Sequence, residues 1–148
     1  MKPSPRKFIA LMLTCAVTHS AVAADGKTDA RACEVNFTVD GSLFSGKTYK
    51  TWQEFSSISY DVAFRKTAQA VAANSWGTVN ANKDAGVITA SQTVTMGKGS
   101  TAPLNVVVQE KKAGVLRIDV NYSTGPGQSA STDAARSELC KLAEAAGQ

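Results

Sequence analysis

The segment LNVVVQEKKAGVLRIDVNY, residues 104–122, constrains the fold more than any other part of the chain. Apolar residues alternate with polar ones on both sides of a Lys-Ala-Gly turn, a pattern typical of an antiparallel hairpin with one buried face. A three-residue loop, Lys112–Gly114, with its glycine in the left-handed conformation, predicts a pair between Lys111 and Val115. The segment therefore predicts two long paired strands at the centre of a sheet.

The register of this hairpin follows from its apolar residues. It pairs Val108 with Ile118, Val106 with Val120, and Leu104 with Tyr122. A slip by one residue would place Val108 against Arg117 and would lose the common apolar face. The alternation therefore specifies which side of both strands is buried.

The rest of the chain predicts an α+β fold. Residues 41–58 indicate an irregular stretch followed by a strand, and apolar residues at helical spacing indicate a helix over 60–74 with Ser59 as its N-cap. Two strands are expected at 76–81 and 87–95, and a last helix capped by Ser131 or Thr132. We therefore expect a mostly antiparallel sheet of four to five strands with two helices packed on one face, in the order strand, helix, strands, helix.

The first residues have the features of an export signal. A basic start is followed by an apolar stretch, Phe8–Val17, which is shorter than the ~20 residues of a membrane-spanning helix. Small residues then provide a cleavage site before Ala24 or Asp25. We therefore expect residues 1–24 to be a signal peptide and residues 25–148 to form a single domain, exported to the periplasm of a bacterium or secreted.

Cys15 supports an alternative, because a lipoprotein signal also places a cysteine after a short apolar run. The residue before the lipid-bearing cysteine is usually small, and here it is Thr14. Membrane association is therefore expected only if Cys15 carries lipid, which would make the protein an outer-membrane lipoprotein.

The two remaining cysteines, Cys33 and Cys140, predict a disulfide. Unpaired thiols usually pair in an oxidising compartment. Cys33 belongs to an alternating stretch that predicts a short strand over 33–39, and Cys140 lies on the flank of the apolar stripe of the last helix. The alternative is two buried free thiols.

The composition excludes most catalytic chemistry. The only histidine, His19, lies in the expected signal peptide, which excludes histidine-based nucleophilic catalysis and histidine-based metal or haem ligation in the exported part. The acidic residues are scattered, so they do not suggest a glycosidase-like carboxylate pair. The Gly97–Ser100 stretch lacks the spacing of a phosphate-binding loop. We therefore predict no catalytic residue, no metal and no cofactor.

The net charge gives no reason to expect a nucleic-acid partner. The full chain has a formal charge of +4, but Lys2, Arg6 and Lys7 belong to the expected signal peptide, so the exported part is close to neutral.

Three stretches carry a resemblance to a known group of proteins. They are YDVAFRKTAQAVAANSW, NKDAGVITA and the 104–122 hairpin, followed by a closing helix. In this arrangement the chain resembles small bacterial envelope proteins, many of them lipoproteins, and is similar to the helix-grip modules of the accessory lipoprotein of the outer-membrane barrel-assembly machine. The expected export, the single disulfide and a core without histidine or free thiol predict a non-enzymatic envelope module that binds another envelope protein or supports assembly. The alternative is a carrier or sensor that holds a small apolar ligand between helix and sheet.

Overall fold

Six antiparallel strands form one sheet in the computed structural model, which describes residues 31–97 and 101–148. The strands are β1 Thr38–Ser42, β2 Gly46–Ser56, β3 Gly77–Asn82, β4 Val87–Thr93, β5 Thr101–Lys112 and β6 Val115–Ser123. Their spatial order is β1-β2-β6-β5-β4-β3. The hairpin of β5 and β6 therefore lies at the centre of the sheet, as the alternation predicts.

The described helices are α1 Ala32–Val35, α2 Tyr60–Ala73 and α3 Thr132–Glu144, with a 3₁₀ turn at Ala145–Gly147. Helices α2 and α3 contact one face of the sheet and each other. None of the helices in the described ranges has the length and apolarity needed to cross a bilayer.

The core lies between that sheet face and the two long helices. The strands contribute alternate residues, among them Tyr49, Ile88, Leu104, Val106, Ile118 and Val120. The helices contribute Ala63, Phe64, Val71, Leu139, Leu142 and Ala143. The opposite sheet face has no helix over it in the described part of the chain, and its residues are polar or half-buried.

The expected fold class is right at the level of α+β and wrong in its element count. Within residues 31–97 and 101–148, the sheet has six strands instead of four to five, and there are three helices instead of two. The first element of the described residues is a helix, because the strand expected over 33–39 is replaced by α1 and the start of β1. Strand β1 is an edge strand whose five residues are all exposed, so neither of its faces is buried.

The register of the central hairpin is confirmed at all three predicted pairs: Leu104 with Tyr122, Val106 with Val120, and Val108 with Ile118. The predicted pair of Lys111 with Val115 is wrong. Lys112 takes that place and Glu110 pairs with Leu116, so Lys111 forms a bulge. The loop is shortened to Ala113-Gly114, in which Gly114 has a φ of 75°.

Both long helices begin at the expected residues. The Ser59 side chain accepts a hydrogen bond from the Val62 N–H at 3.4 Å, and the Ser131 side chain accepts one from the Ala134 N–H at 3.4 Å. These serines therefore satisfy amide groups that have no partner inside the first helical turn.

Candidate functional site

A groove opens between the end of α2, the beginning of α3 and the sheet. Its main section, which we call the cleft, has a volume of about 510 Å³, within the range of small-ligand sites. Its lining includes small residues of the helix ends, polar side chains and two aromatic rings: Ala73, Ala134, Asn74, Gln92, Trp76 and Tyr122. The cleft is open to solvent and partly polar, so it differs from an enclosed apolar cavity.

Two aromatic rings, Trp76 and Tyr122, line one wall of the cleft, and the buried ring of Tyr49 lies behind Tyr122 in the core. Tyr49 stacks on Tyr122 with 5.8 Å between ring centroids, and the Trp76 ring meets the Tyr122 ring edge-on at 5.5 Å. Tyr49 is fully buried, and its hydroxyl donates to the Ala130 carbonyl at 3.1 Å. Because the rings support one another, the wall is well defined in position.

Polar atoms of this wall are held by few partners. The Tyr122 hydroxyl donates to Gln92 Oε1 at 3.4 Å. Burial raises the pKa of Tyr122 above its usual range, and the neighbouring Tyr49 adds to this effect. The group is therefore a neutral phenol at pH 7. The Trp76 indole Nε1 is buried and has no hydrogen-bond partner among the described residues, a feature that is uncommon in folded proteins.

The groove continues from the cleft toward one end of the sheet. Gln92, Tyr122 and Ala130 line both the cleft and this second section, which has a volume of about 290 Å³ and extends to Met96. Its sides are the loop that follows β4 and the loop that precedes α3.

These two loops are held together by backbone packing. A Cβ atom placed on Gly97 would lie 2.6 Å from the Gln128 nitrogen, so only glycine permits this approach. Within the loop that precedes α3, the Gly125 N–H donates to Gln128 Oε1 at 2.8 Å. The second section of the groove is therefore defined by a tight contact between two loops.

Exposed apolar side chains surround the end of the groove. Phe44 is 91% exposed, Met96 76% and Leu43 46%. The Gly127 N–H donates to the Leu43 carbonyl at 2.8 Å, and Gly127 also contacts Gly97, which places the three apolar side chains at the same end of the molecule. We call Leu43, Phe44 and Met96 the apolar tip.

One charged residue lines the described part of the groove. Glu138, on α3, lines the cleft, and no Lys, Arg, His or Asp is found among the described lining residues of either section. The Lys141 ammonium lies 3.5 Å from the Glu138 carboxylate, one helical turn away. The lining is therefore weakly acidic.

The predicted disulfide between Cys33 and Cys140 is confirmed. Its Cα atoms are 5.4 Å apart and both residues are fully buried, so the bond ties α1 to α3. Arg31 supports the same contact with an ion pair of 2.9 Å to Glu144. The disulfide lies away from the groove lining and is a structural link.

The other residues that the sequence singled out are remote from the groove or outside the described ranges. Cys15, His19 and the predicted signal peptide lie outside the residues that the structure describes. Among the scattered carboxylates, that of Asp61 lies 2.8 Å from the Lys83 ammonium, and that of Asp119 lies 2.6 Å from the Arg117 guanidinium. No group of three metal-ligating side chains is found in the described ranges.

The sequence did not predict the groove. Tyr122 was expected only as the last inward residue of a strand, and Trp76 only as the first residue of another. Two signals were nevertheless present, since large aromatic residues stood at strand ends and alanines were frequent at the adjoining helix ends.

Comparison with protein-family models gives no match, and comparison with curated proteins gives no relative. The resemblance to bacterial envelope proteins therefore stays a prediction.

Proposed function

We propose that this protein is an exported, non-enzymatic module of the bacterial envelope that binds a segment of another protein in the groove. The observation that carries this proposal is the position of the apolar tip, which adjoins the open end of the groove. A partner segment that lies in the groove would cover Met96, and one that extends past its end beyond Leu43 would also cover Phe44.

Exposure of these side chains is the main support for a protein partner. Most of the surface of Phe44 and Met96 is exposed to water. Burial of a large apolar side chain is favourable by about 1.5–3 kcal/mol of free energy, so a partner that covers these side chains would gain binding energy. Clustered exposed apolar residues are typical of interaction sites. The second section of the groove extends this surface with backbone and side-chain polar groups, which suit an extended peptide.

We propose no catalytic role for the groove. Glu138 is the one carboxylate among its described lining residues, and acid-base hydrolysis of the glycosidase type needs two. Tyr122 is a neutral phenol at pH 7, and burial raises its pKa further, so it offers hydrogen bonding and aromatic contact.

Site-specific photocrosslinking in the native host tests the protein-partner proposal. A photoreactive amino acid replaces Phe44 at the tip or Ala134 in the cleft, and the matched control replaces Lys111, which is exposed at the opposite end of the sheet. We expect the same protein to be crosslinked from positions 44 and 134 and not from position 111. Equal crosslinking from all three positions, or none from 44 and 134, would contradict the proposal.

A carrier for a small apolar ligand is the second candidate, and the cleft volume of about 510 Å³ favours it. Native mass spectrometry of the protein purified gently from its host tests this function. A bound small molecule whose occupancy is lost in Trp76→Ala, at a temperature where circular dichroism shows the variant to be folded, would support the carrier. Unliganded protein that still gives the paired crosslinks would support the protein-binding module instead.

A further inference from the structure

We propose that the cleft recognises a cationic group, namely a lysine or arginine side chain that the partner segment presents. This inference rests on the proposed function, because it specifies the chemistry of the segment that the groove binds. Three features of the cleft carry it: its lining charge, the helix ends that meet there, and its aromatic wall.

The lining charge favours a cation and disfavours an anion. Glu138 supplies a negative charge, and the described lining contains no positive side chain to receive a carboxylate or phosphate. The Lys141 side chain is largely exposed, and its ammonium group lies 3.5 Å from the Glu138 carboxylate. An exposed ion pair of this kind contributes little free energy. The Glu138 carboxylate is therefore available to a second cation on the groove side.

The helix ends add to this preference. The C-terminal end of α2 lines the cleft through Ala73 and Asn74, and the C-terminal end of a helix carries a partial negative charge. No basic residue occupies the last turn of α2 to offset it. The beginning of α3 also lies at the cleft, but its partial positive charge is countered by the Ser131 cap and by Asp133 in the first turn.

The aromatic wall provides the remaining contact. Tryptophan has the most favourable face for a cation among the aromatic side chains, and Trp76 lines the cleft together with Glu138. Gln92 and Asn74 add amide oxygens, which are acceptors for ammonium and guanidinium groups. An aliphatic stem of lysine or arginine would also contact the alanines of the helix ends.

Two small probes test the inference by nuclear magnetic resonance on the purified protein. They are N-acetyl-lysine methylamide and N-acetyl-norleucine methylamide, which differ in the terminal ammonium group. The indole N–H resonances of Trp76 and Trp52 report binding, and Trp76→Phe assigns them. Trp52 belongs to the opposite face of the sheet, where Arg117 lies 4.2 Å from its ring centroid, so it serves as an internal control.

We expect the lysine probe to shift the Trp76 resonance in a saturable manner and to leave Trp52 unchanged. The norleucine probe should bind at least about tenfold more weakly, and Glu138→Gln should weaken the lysine probe about fivefold or more. Glu110→Gln, on the exposed end of the central hairpin, is the matched charge control and should have no effect.

Equal binding of the two probes, unchanged binding in Glu138→Gln, or no saturable shift at the solubility limit of the lysine probe would overturn the inference. The crosslinking experiment separates this failure from failure of the proposed function. Paired crosslinks from positions 44 and 134 would leave the groove as a protein-binding site even if the cation preference is absent.

Discussion

Removal of the disulfide between Cys33 and Cys140 should lower the free energy of unfolding by several kcal/mol. The bond joins residues separated by 107 positions, so it restricts almost the whole described chain in the unfolded state. The chain-entropy relation gives about 4.8 kcal/mol for a closed segment of this length, within the usual range of about 2–5 kcal/mol. A domain of this size has a total stability of about 5–15 kcal/mol, so the loss would be a large fraction of it.

The double variant Cys33→Ala/Cys140→Ala is the appropriate perturbation, because a single substitution leaves a buried free thiol. Urea unfolding followed by circular dichroism should show a lower midpoint for the double variant than for the oxidised protein. The dependence of the unfolding free energy on urea should also become steeper, because an unlinked unfolded chain exposes more surface.

Reductant provides the control for this experiment. It should lower the stability of the wild-type protein toward that of the double variant and should leave the double variant unchanged. A difference below about 1 kcal/mol between the oxidised protein and the double variant would refute the reasoning, since the stabilisation would then not come from restriction of the unfolded chain.

Three further substitutions test the packing. Leu104→Ala removes a fully buried side chain and should lower the free energy of unfolding by about 2–5 kcal/mol. The neighbouring substitution Asn105→Ala should change the urea midpoint little, and similar losses for the two variants would contradict the assignment of the buried sheet face. Gly97→Ala should lower the melting temperature clearly more than Gly114→Ala. Both glycines have a positive φ, but only at Gly97 would the added Cβ lie 2.6 Å from atoms of the neighbouring loop, so equal melting temperatures would contradict the loop contact. Ser59→Ala should cost about 1 kcal/mol through loss of the α2 cap, whereas Ser59→Asp should retain the stability in thermal melts, and a loss as large as that of alanine would argue against capping.

The sequence predicted strand register correctly where a strand has one apolar and one polar face. The register of Leu104 with Tyr122 was predictable because alternation specifies the buried face, and Ser59 was predictable as a cap because its role depends on the next three residues alone. The disulfide was predictable because Cys33 and Cys140 were the remaining pair after the expected signal peptide.

The sequence was uninformative where structure depends on distant neighbours. The residues around Cys33 alternate as a strand would, but they form α1, which is held by the disulfide to α3 and by Arg31 to Glu144. Strand β1 has no buried face, and it is defined by its hydrogen bonds to β2.

The groove could not be predicted for the same reason. Trp76, Gln92, Tyr122 and Glu138 come from four separate parts of the chain, and their proximity arises only when α2 and α3 pack on the sheet. Their individual patterns indicate a strand or a helix and contain no information about the space between the two helix ends.

The disulfide also determines how the domain responds to mechanical force. All six strands and α2 lie between Cys33 and Cys140 in the sequence, inside a closed covalent loop. Tension applied ahead of Arg31 passes through Cys33 directly into α3, so the exposed edge strand β1 is not peeled from the sheet. After reduction the same tension would pull on α1 and then on β1, and would open the hydrogen bonds between β1 and β2 one pair at a time. In the oxidised protein, tension between Arg31 and the end of α3 bypasses the closed loop, and the sheet retains its length under load.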